Sequence, residues 1–196
     1  MGLDVGSLIK ESFRVLFRDK IIFGTAVVLG LIGLISYFPV SPLNLAYSVY
    51  IIIAMIIVAL FSVFLNAIIV SRVYESKKDG FGYAANNAKK YYLRFLGTYI
   101  LLGVIVGLGF IAFVIPGVYL AVRLFLAPAT VIAEKKRPFD ALKRSWEMTR
   151  GNWWSIFAVA LVLSIIAFFI GLIPVIGTII GMTVLISSVL IYKKLK

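Results

Sequence analysis

The chain has 196 residues, 62% of them hydrophobic and 14% charged, with a mean hydropathy of +1.07 and a formal net charge of +12. Soluble domains are about half apolar and about a quarter charged, so this chain has too little polar surface to coat a soluble globule. Its lack of cysteine and histidine excludes disulfides, thiol nucleophiles, imidazole bases and Cys/His metal sites built from this chain alone. The composition predicts an integral membrane protein.

The N-terminal segment has the pattern of a basic amphipathic helix. Its apolar residues recur on one face: Ile9, Phe13, Leu16 and Phe17. A row of cations lies beside them: Lys10, Arg14 and Arg18. Such a helix is expected to lie in the cytoplasmic interface of a membrane, with its cationic side toward lipid phosphates.

Long uncharged runs follow this segment. Each run approaches or exceeds the ~18–20 apolar residues that cross a hydrocarbon core. The runs are Ile21–Phe38, Leu45–Val70, Leu96–Ile115, Trp153–Ile170 and Val175–Tyr192. The first run is longer than the apolar core of a usual signal peptide, so we expect it to be a retained membrane helix.

The positions of the basic residues predict the topology. Of the 20 Lys and Arg residues, all but Arg123 lie before the first run, within residues 71–95 or 134–152, or in the C-terminal tail. The positive-inside rule then places both termini and these segments in the cytoplasm, in a multi-pass protein of the cell membrane. This topology requires a sixth crossing, Val118–Ala133, which we expect to be tilted, kinked or partly re-entrant because it contains Pro128.

Two later segments repeat the basic amphipathic pattern, residues 81–95 and 139–150. We therefore predict a single all-α integral membrane domain over residues 1–196. It has six transmembrane helices arranged as three hairpins, and each hairpin is preceded by a basic amphipathic interfacial helix. These units form possible repeats, which suggest pseudosymmetric packing: 3–70, 81–133 and 139–192.

Motifs for catalysis or for metal binding are absent from the sequence. The 8 acidic residues all lie outside the predicted membrane helices, so none supplies an intramembrane proton relay. We expect no enzyme, no metal, no cofactor and no nucleic-acid partner. Asn66 is a polar residue in the second apolar run, where it either forms one interhelical hydrogen bond or lines a pathway.

Basic and aromatic residues near the ends of the apolar runs are expected to contact membrane phospholipids, anionic headgroups in particular. Lys and Arg near the cytoplasmic surface attract anionic lipids, and Trp is enriched at membrane interfaces. The predicted lipid-interface residues are Lys89, Lys90, Arg94, Lys143, Arg144, Arg150, Trp153 and Trp154.

Residues 115–157 carry a family resemblance. The matching elements are Ile115-Pro116-Gly117, Tyr119–Arg123, Pro128, Glu134, Ala141–Trp146 and Thr149–Trp154. This stretch resembles the membrane-domain family of glycerophosphoryl diester phosphodiesterases and its uncharacterised multi-pass relatives. The resemblance implies a six-helix membrane module concerned with membrane lipids. The printed sequence contains no soluble catalytic domain, so the resemblance does not extend to phosphodiesterase activity.

Arg123 is the one charge inside the predicted membrane helices, about 9 Å along the helix from the predicted outer turn at Pro116-Gly117. It either has a structural role, by snorkelling or by capping broken backbone, or binds an anionic headgroup or solute. Arg123 and Asn66 are the candidate ligand-binding residues. We expect a non-enzymatic lipid-interacting module or scaffold; the alternatives are a small-solute channel or carrier with Arg123 near the pathway, and an accessory subunit for another membrane protein. The protein partner would be a second copy of the chain, in a homo-oligomer, or another membrane protein.

Overall fold

The computed structural model describes residues 3–33, 45–75, 81–170 and 174–196, and within these ranges the regular secondary structure is entirely α-helical. The helices are α1 (Val5–Arg18), α2 (Lys20–Gly33), α3 (Leu45–Glu75), α4 (Phe81–Ala112), α5 (Val114–Arg123), α6 (Ala127–Glu134), α7 (Pro138–Met148), α8 (Trp153–Ile170) and α9 (Pro174–Leu195). The all-α prediction is confirmed for the described residues.

Five segments of the described chain are helical, apolar and long enough to cross a membrane. They are Tyr47–Glu75, Phe81–Ala112, Val114–Glu134 (α5 and α6 together), Trp153–Ile170 and Ile176–Leu195. The apolar helix α2 is shorter, and the rest of the first predicted run, residues 34–38, lies outside the described residues. The multi-pass prediction is therefore supported, while the six-crossing layout and its orientation stay predictions.

Helix α1 forms as expected but is docked on the other helices. Asp4 caps its N-terminus by accepting hydrogen bonds from the backbone N–H groups of Ser7 (3.3 Å) and Gly6 (3.1 Å), and these bonds hold the pKa of the Asp4 carboxyl below its usual value. Leu8 and Leu16 are fully buried, because α1 packs against α9, α2 and α8. Much of its apolar face therefore contacts protein rather than lipid.

The second predicted interfacial helix, residues 81–95, is not a separate element. It forms the first half of the 32-residue helix α4, which continues into the third apolar run. No proline interrupts this stretch, and Gly97 is accommodated because Pro138 of α7 packs against it: an added Cβ there would lie 3.0 Å from the proline ring. The prediction of a distinct interfacial helix before this crossing was wrong for these residues.

The connection between α4 and α5 is tighter than predicted. Phe113 alone separates the two helices, with an extended backbone at φ −169° and ψ 158°. Pro116 and Gly117 lie inside the first turn of α5. The N–H that a proline lacks would have no intrahelical partner in that turn, so Pro116 removes no helical hydrogen bond. Gly109 and Gly117 meet at this crossing: a Cβ added to Gly109 would lie 3.0 Å from the Gly117 Cα.

Helix α9 forms the centre of the packing, in contact with α1, α2, α3, α6 and α8. Its second half contributes the fully buried side chains of Ile186, Ile191 and Tyr192. The Tyr192 hydroxyl donates to Glu134 Oε1 at 2.9 Å, and Arg144 Nε donates to the same oxygen at 3.2 Å. This carboxylate therefore links α6, α7 and α9 at one end of the helix bundle.

Candidate anion-binding site at the broken helix

The fourth predicted crossing is broken between α5 and α6. In a continuous helix the N–H of Ala127 would donate to the carbonyl of Arg123. Here it donates to the carbonyl of Leu124 at 3.0 Å, one residue further along the chain. The N–H of Leu126 donates out of the helix, to the Ser145 hydroxyl at 3.1 Å. The break therefore leaves two backbone groups that a partner outside the helix must satisfy.

Pro128 is predicted from the sequence to kink a continuous helix, but it does not do so. It occupies the first turn of α6, just after the break at residues 124–126. A proline in the first turn of a helix is tolerated because the N–H that it lacks has no intrahelical partner there. The proline thus favours a new helix start, and the irregular backbone lies before it.

Helix α7 supplies the missing hydrogen bonds. The hydroxyl of Ser145 donates to the Arg123 carbonyl at 2.9 Å while accepting the N–H of Leu126, and Thr149 Oγ1 adds a longer contact of 3.4 Å to the same carbonyl. Ser145 and Thr149 are four residues apart on one helical face, and both are fully buried. Side chains of α7 and its C-cap therefore provide, at the break, the hydrogen bonds that a continuous helix would make within itself.

The side chain of Arg123 turns toward the same helix. Its Nε donates to the Tyr119 hydroxyl at 3.0 Å. Its guanidinium carbon lies 5.2 Å from the ring centre of Tyr119 and 5.1 Å from that of Trp146, distances at which cation–π attraction operates. Its Nη1 is buried and has no hydrogen-bond acceptor among the described residues.

Trp153 adds a third aromatic ring to this cluster, next to Tyr119. Its ring stacks on Tyr119 at 5.9 Å between centres and on Phe157 at 5.1 Å. Its indole Nε1 is also buried without an acceptor in the described part of the chain. We name Tyr119, Arg123, Trp146 and Trp153 the arginine cage. Tyr119 contacts the other three members, so two residues with unmatched N–H donors, Arg123 and Trp153, lie next to one phenol ring.

No described carboxylate pairs with Arg123. Glu134 is engaged with Lys136, Arg144 and Tyr192. The side chain of Arg123 is half-buried, and the buried part of its guanidinium needs acceptors or a counter-charge to offset the lost solvation. The arginine cage thus has the chemistry of a receptor for an oxyanion, since guanidinium and indole N–H groups bind phosphate and carboxylate oxygens.

Asn66 lies in a different cavity from Arg123. It lines a space of about 350 Å³ together with Tyr99, Phe125, Pro128 and Ser188, among others. Its Oδ1 is buried and accepts no hydrogen bond from the described residues. The cavity borders the break through Phe125 and Pro128 but does not include Arg123. The structure therefore separates the two candidate ligand-binding residues.

The predicted lipid-interface residues differ in their contacts and in their exposure. Arg94 Nη1 donates to the Lys135 carbonyl at 2.6 Å, and Arg144 pairs with Glu134. Trp153 belongs to the arginine cage, whereas Trp154 is 76% exposed. The remaining cations are exposed: Lys89, Lys90, Lys143 and Arg150. Arg94 is exposed as well, so every member of this set except the half-buried Arg144 and Trp153 is exposed, and contact of these residues with lipid stays a prediction.

The partners of Arg123 do not follow from the sequence pattern. Tyr119 and Ser145 belong to the stretch that carries the family resemblance, which does not connect them to Arg123. The usable signal is the pair Ser145 and Thr149, which places small hydroxyls at i, i+4 spacing on the apolar side of an amphipathic helix. Such a pair is suited to bonding a neighbouring backbone, but its spacing does not reveal which backbone.

Comparisons with known proteins support an uncharacterised membrane family. The chain is 33% identical over 109 residues to a UPF0259 membrane protein of Pectobacterium carotovorum subsp. carotovorum (strain PC1), covering 50% of this chain and 44% of that protein. It thus spans less than half of the relative's length, and no solved structure matches it. Neither matching family carries a phosphodiesterase name, so that resemblance stays a prediction. The model for a domain of unknown function, DUF7847, matches residues 80–191, more than half of the sequence, and the chain belongs to this family.

Proposed function

We propose that this protein is a non-enzymatic, lipid-interacting membrane module that binds the phosphate of an anionic phospholipid at the arginine cage. The observation that carries the proposal is the buried Nη1 of Arg123, which has no acceptor among the described residues. A phosphate oxygen would accept this N–H and offset the charge of the guanidinium at the same time.

An adjacent groove favours a lipid over a free ion. Trp146 forms one wall of the arginine cage and also lines an apolar groove of about 290 Å³ beside Leu124, with Ile105, Phe139 and Leu142 along it. Lys143 lies at the same groove and is exposed. A groove with almost no polar surface suits an acyl chain, so headgroup and chain of one phospholipid have neighbouring sites.

The surroundings of the cage fit a membrane interface. Helix α7 ends at Met148, and the link to α8 contains the exposed Arg150 and Gly151, the latter at φ +84°. The exposed ring of Trp154 lies in the first turn of α8. Aromatic and cationic side chains of this kind are typical of the headgroup level of a bilayer. This placement supports access of a lipid headgroup to Arg123 from the interface.

Replacement of Arg123 tests the proposal. In nanodiscs of phosphatidylcholine, added phosphatidylglycerol is expected to raise the Tm of the wild type, and Arg123→Gln is expected to lose most of that rise. A hydrogen bond to a charged group contributes about 1.5–3 kcal/mol, so lipid affinity should fall about tenfold or more. Thermal unfolding at increasing phosphatidylglycerol content measures both quantities.

Two further variants control this experiment. Arg150→Gln removes the same charge from an exposed position and should keep the lipid-dependent rise. Trp153→Phe removes the second N–H donor while keeping an aromatic ring, and should lose part of the rise even if Arg123→Gln folds poorly. Equal lipid responses of the wild type, Arg123→Gln and Trp153→Phe would contradict the proposal.

A second function, a small-solute channel or carrier, is supported by the cavity at Asn66. That cavity borders the broken helix, and irregular backbone at membrane depth is tolerated where it lines a cavity. Flux of labelled solutes into proteoliposomes, compared between wild type and Asn66→Leu, tests this alternative. Absence of flux across a broad solute panel would count against it and would leave the lipid proposal intact.

A further inference from the structure

A second cationic cleft lies away from the arginine cage, where α1 and α2 meet the ends of α3 and α9. Its volume is about 320 Å³. Its lining carries four basic residues, Arg14, Arg18, Arg72 and Lys193, against the two carboxylates of Glu11 and Asp19. The cleft shares no residue with the arginine cage. We name it the α1 cleft.

The carboxylates of the α1 cleft do not neutralise all of its cations. Asp19 Oδ2 accepts Arg72 Nε at 2.9 Å, and its Oδ1 accepts the N–H groups of Ile21 (3.0 Å) and Ile22 (3.4 Å). Asp19 is therefore committed to holding α3 and to capping the start of α2. Glu11 lies 4.0 Å from Lys194, which is outside the cleft lining.

Arg14 and Arg18 are two cations of the cleft that its carboxylates do not pair with. They lie four residues apart on α1, and hence on one face of that helix. Both are exposed, and neither pairs with a carboxylate among the described residues. Both line the cleft, and like charges at this spacing on a helix repel each other, a repulsion that a bound anion would relieve.

The floor of the cleft is apolar. Ile22 and Leu190 form part of it, and Ile22 is almost fully buried in the core. A cleft that combines a cationic mouth with an apolar floor suits a phosphate group attached to an apolar body.

We propose that the α1 cleft is a second anion site, which binds a phosphate-bearing ligand through Arg14 and Arg18. The phosphate belongs either to a lipid headgroup or to a free phosphate ion; both present the same oxyanion to the two guanidinium groups. This site is independent of Arg123 and gives α1, whose apolar face is largely occupied by protein, a role for its charged face.

The test uses the full chain in phosphatidylcholine nanodiscs with two titrants, inorganic phosphate and phosphatidylglycerol. Arg14→Gln/Arg18→Gln is compared with Lys10→Gln/Lys196→Gln, which removes two exposed cations that do not line the cleft. Both double variants are made in an Arg123→Gln background, which separates this site from the arginine cage. We expect the first variant to lose about half or more of the anion-induced rise in Tm that remains in this background and the second to keep it.

A response to phosphatidylglycerol alone identifies a lipid headgroup, and a response to inorganic phosphate as well identifies a free phosphate; each supports the site if it requires Arg14 and Arg18. All four substituted residues are exposed, so an unchanged Tm in pure phosphatidylcholine should confirm that both double variants fold. Equal responses of the two double variants to both titrants would overturn the inference.

Discussion

Ser145→Ala is expected to lower the free energy of unfolding by about 2–3 kcal/mol, because it removes the hydrogen bonds that stabilise the broken helix. The fully buried hydroxyl satisfies the Leu126 N–H and the Arg123 carbonyl at once. Alanine leaves the N–H with no acceptor and the carbonyl with only the 3.4 Å contact to Thr149. Chemical or thermal unfolding in detergent measures the loss.

Ser164→Ala is the matched control for this prediction. Ser164 lies on α8 with an exposed side chain, so the same hydroxyl deletion should change stability little. Thr149→Val should have an intermediate effect, since its contact to the Arg123 carbonyl is longer than that of Ser145. Equal stability of Ser145→Ala and Ser164→Ala would contradict the claim that hydrogen bonds from α7 stabilise the broken helix.

The second large effect is expected at the crossing of α4 and α5. A Cβ on Gly117 would lie 2.5 Å from Cγ of the Phe110 ring, closer than atoms of real side chains approach. Because Cγ attaches the ring to Cβ, rotation of the side chain moves it little, and Gly117→Ala should force α4 and α5 apart. Overpacking of this kind costs about 1–3 kcal/mol, which a fall in Tm will show. Gly109→Ala should act in the same direction.

Gly107→Ala controls for the loss of a glycine as such. No atom lies within 4 Å of where its Cβ would be, and the residue lies in the same helix as Gly109. Alanine favours a helix over glycine by about 1 kcal/mol, so this variant should be neutral or slightly stabilised. A Gly107→Ala variant less stable than Gly117→Ala would show that the helices do not cross as described.

The glycine positions illustrate what a sequence pattern leaves open. Gly103 and Gly107 have the GxxxG spacing that favours close helix contact, yet both face open space within this chain. The close approach occurs at Gly109 and Gly117, which belong to different helices. Their proximity depends on the single-residue turn at Phe113, and a pattern within one helix carries no information about that turn.

The helices themselves follow from hydropathy, because an apolar run must satisfy its backbone internally wherever it meets lipid. The same criterion does not separate an amphipathic segment from the crossing that it precedes. Residues 81–95 are thus part of α4, which continues into the crossing, whereas most of 139–150 lies in a separate helix, α7, which ends before Gly151. Proline and glycine positions decide between these outcomes better than charge does.

Arg123 could be identified from sequence because a charge count requires no knowledge of packing. Its direction could not, since an arginine near a helix break can reach either membrane surface or the bundle interior. The contacts with Trp146 and Ser145 arise because α7 runs back along α6, with its end beside the break. The structural and the ligand-binding interpretation of Arg123 are therefore compatible. Its carbonyl accepts a hydrogen bond from Ser145 at the break, and its guanidinium lies in the arginine cage.

Lipid binding at the arginine cage is tested most directly by an experimental structure of the full chain in nanodiscs that contain phosphatidylglycerol. We expect a phosphate oxygen at about 3 Å from Arg123 Nη1, with an acyl chain along the groove beside Trp146. A structure in which that nitrogen instead donates to a protein group or to water, with no headgroup in the cage at saturating phosphatidylglycerol, would contradict the proposed function.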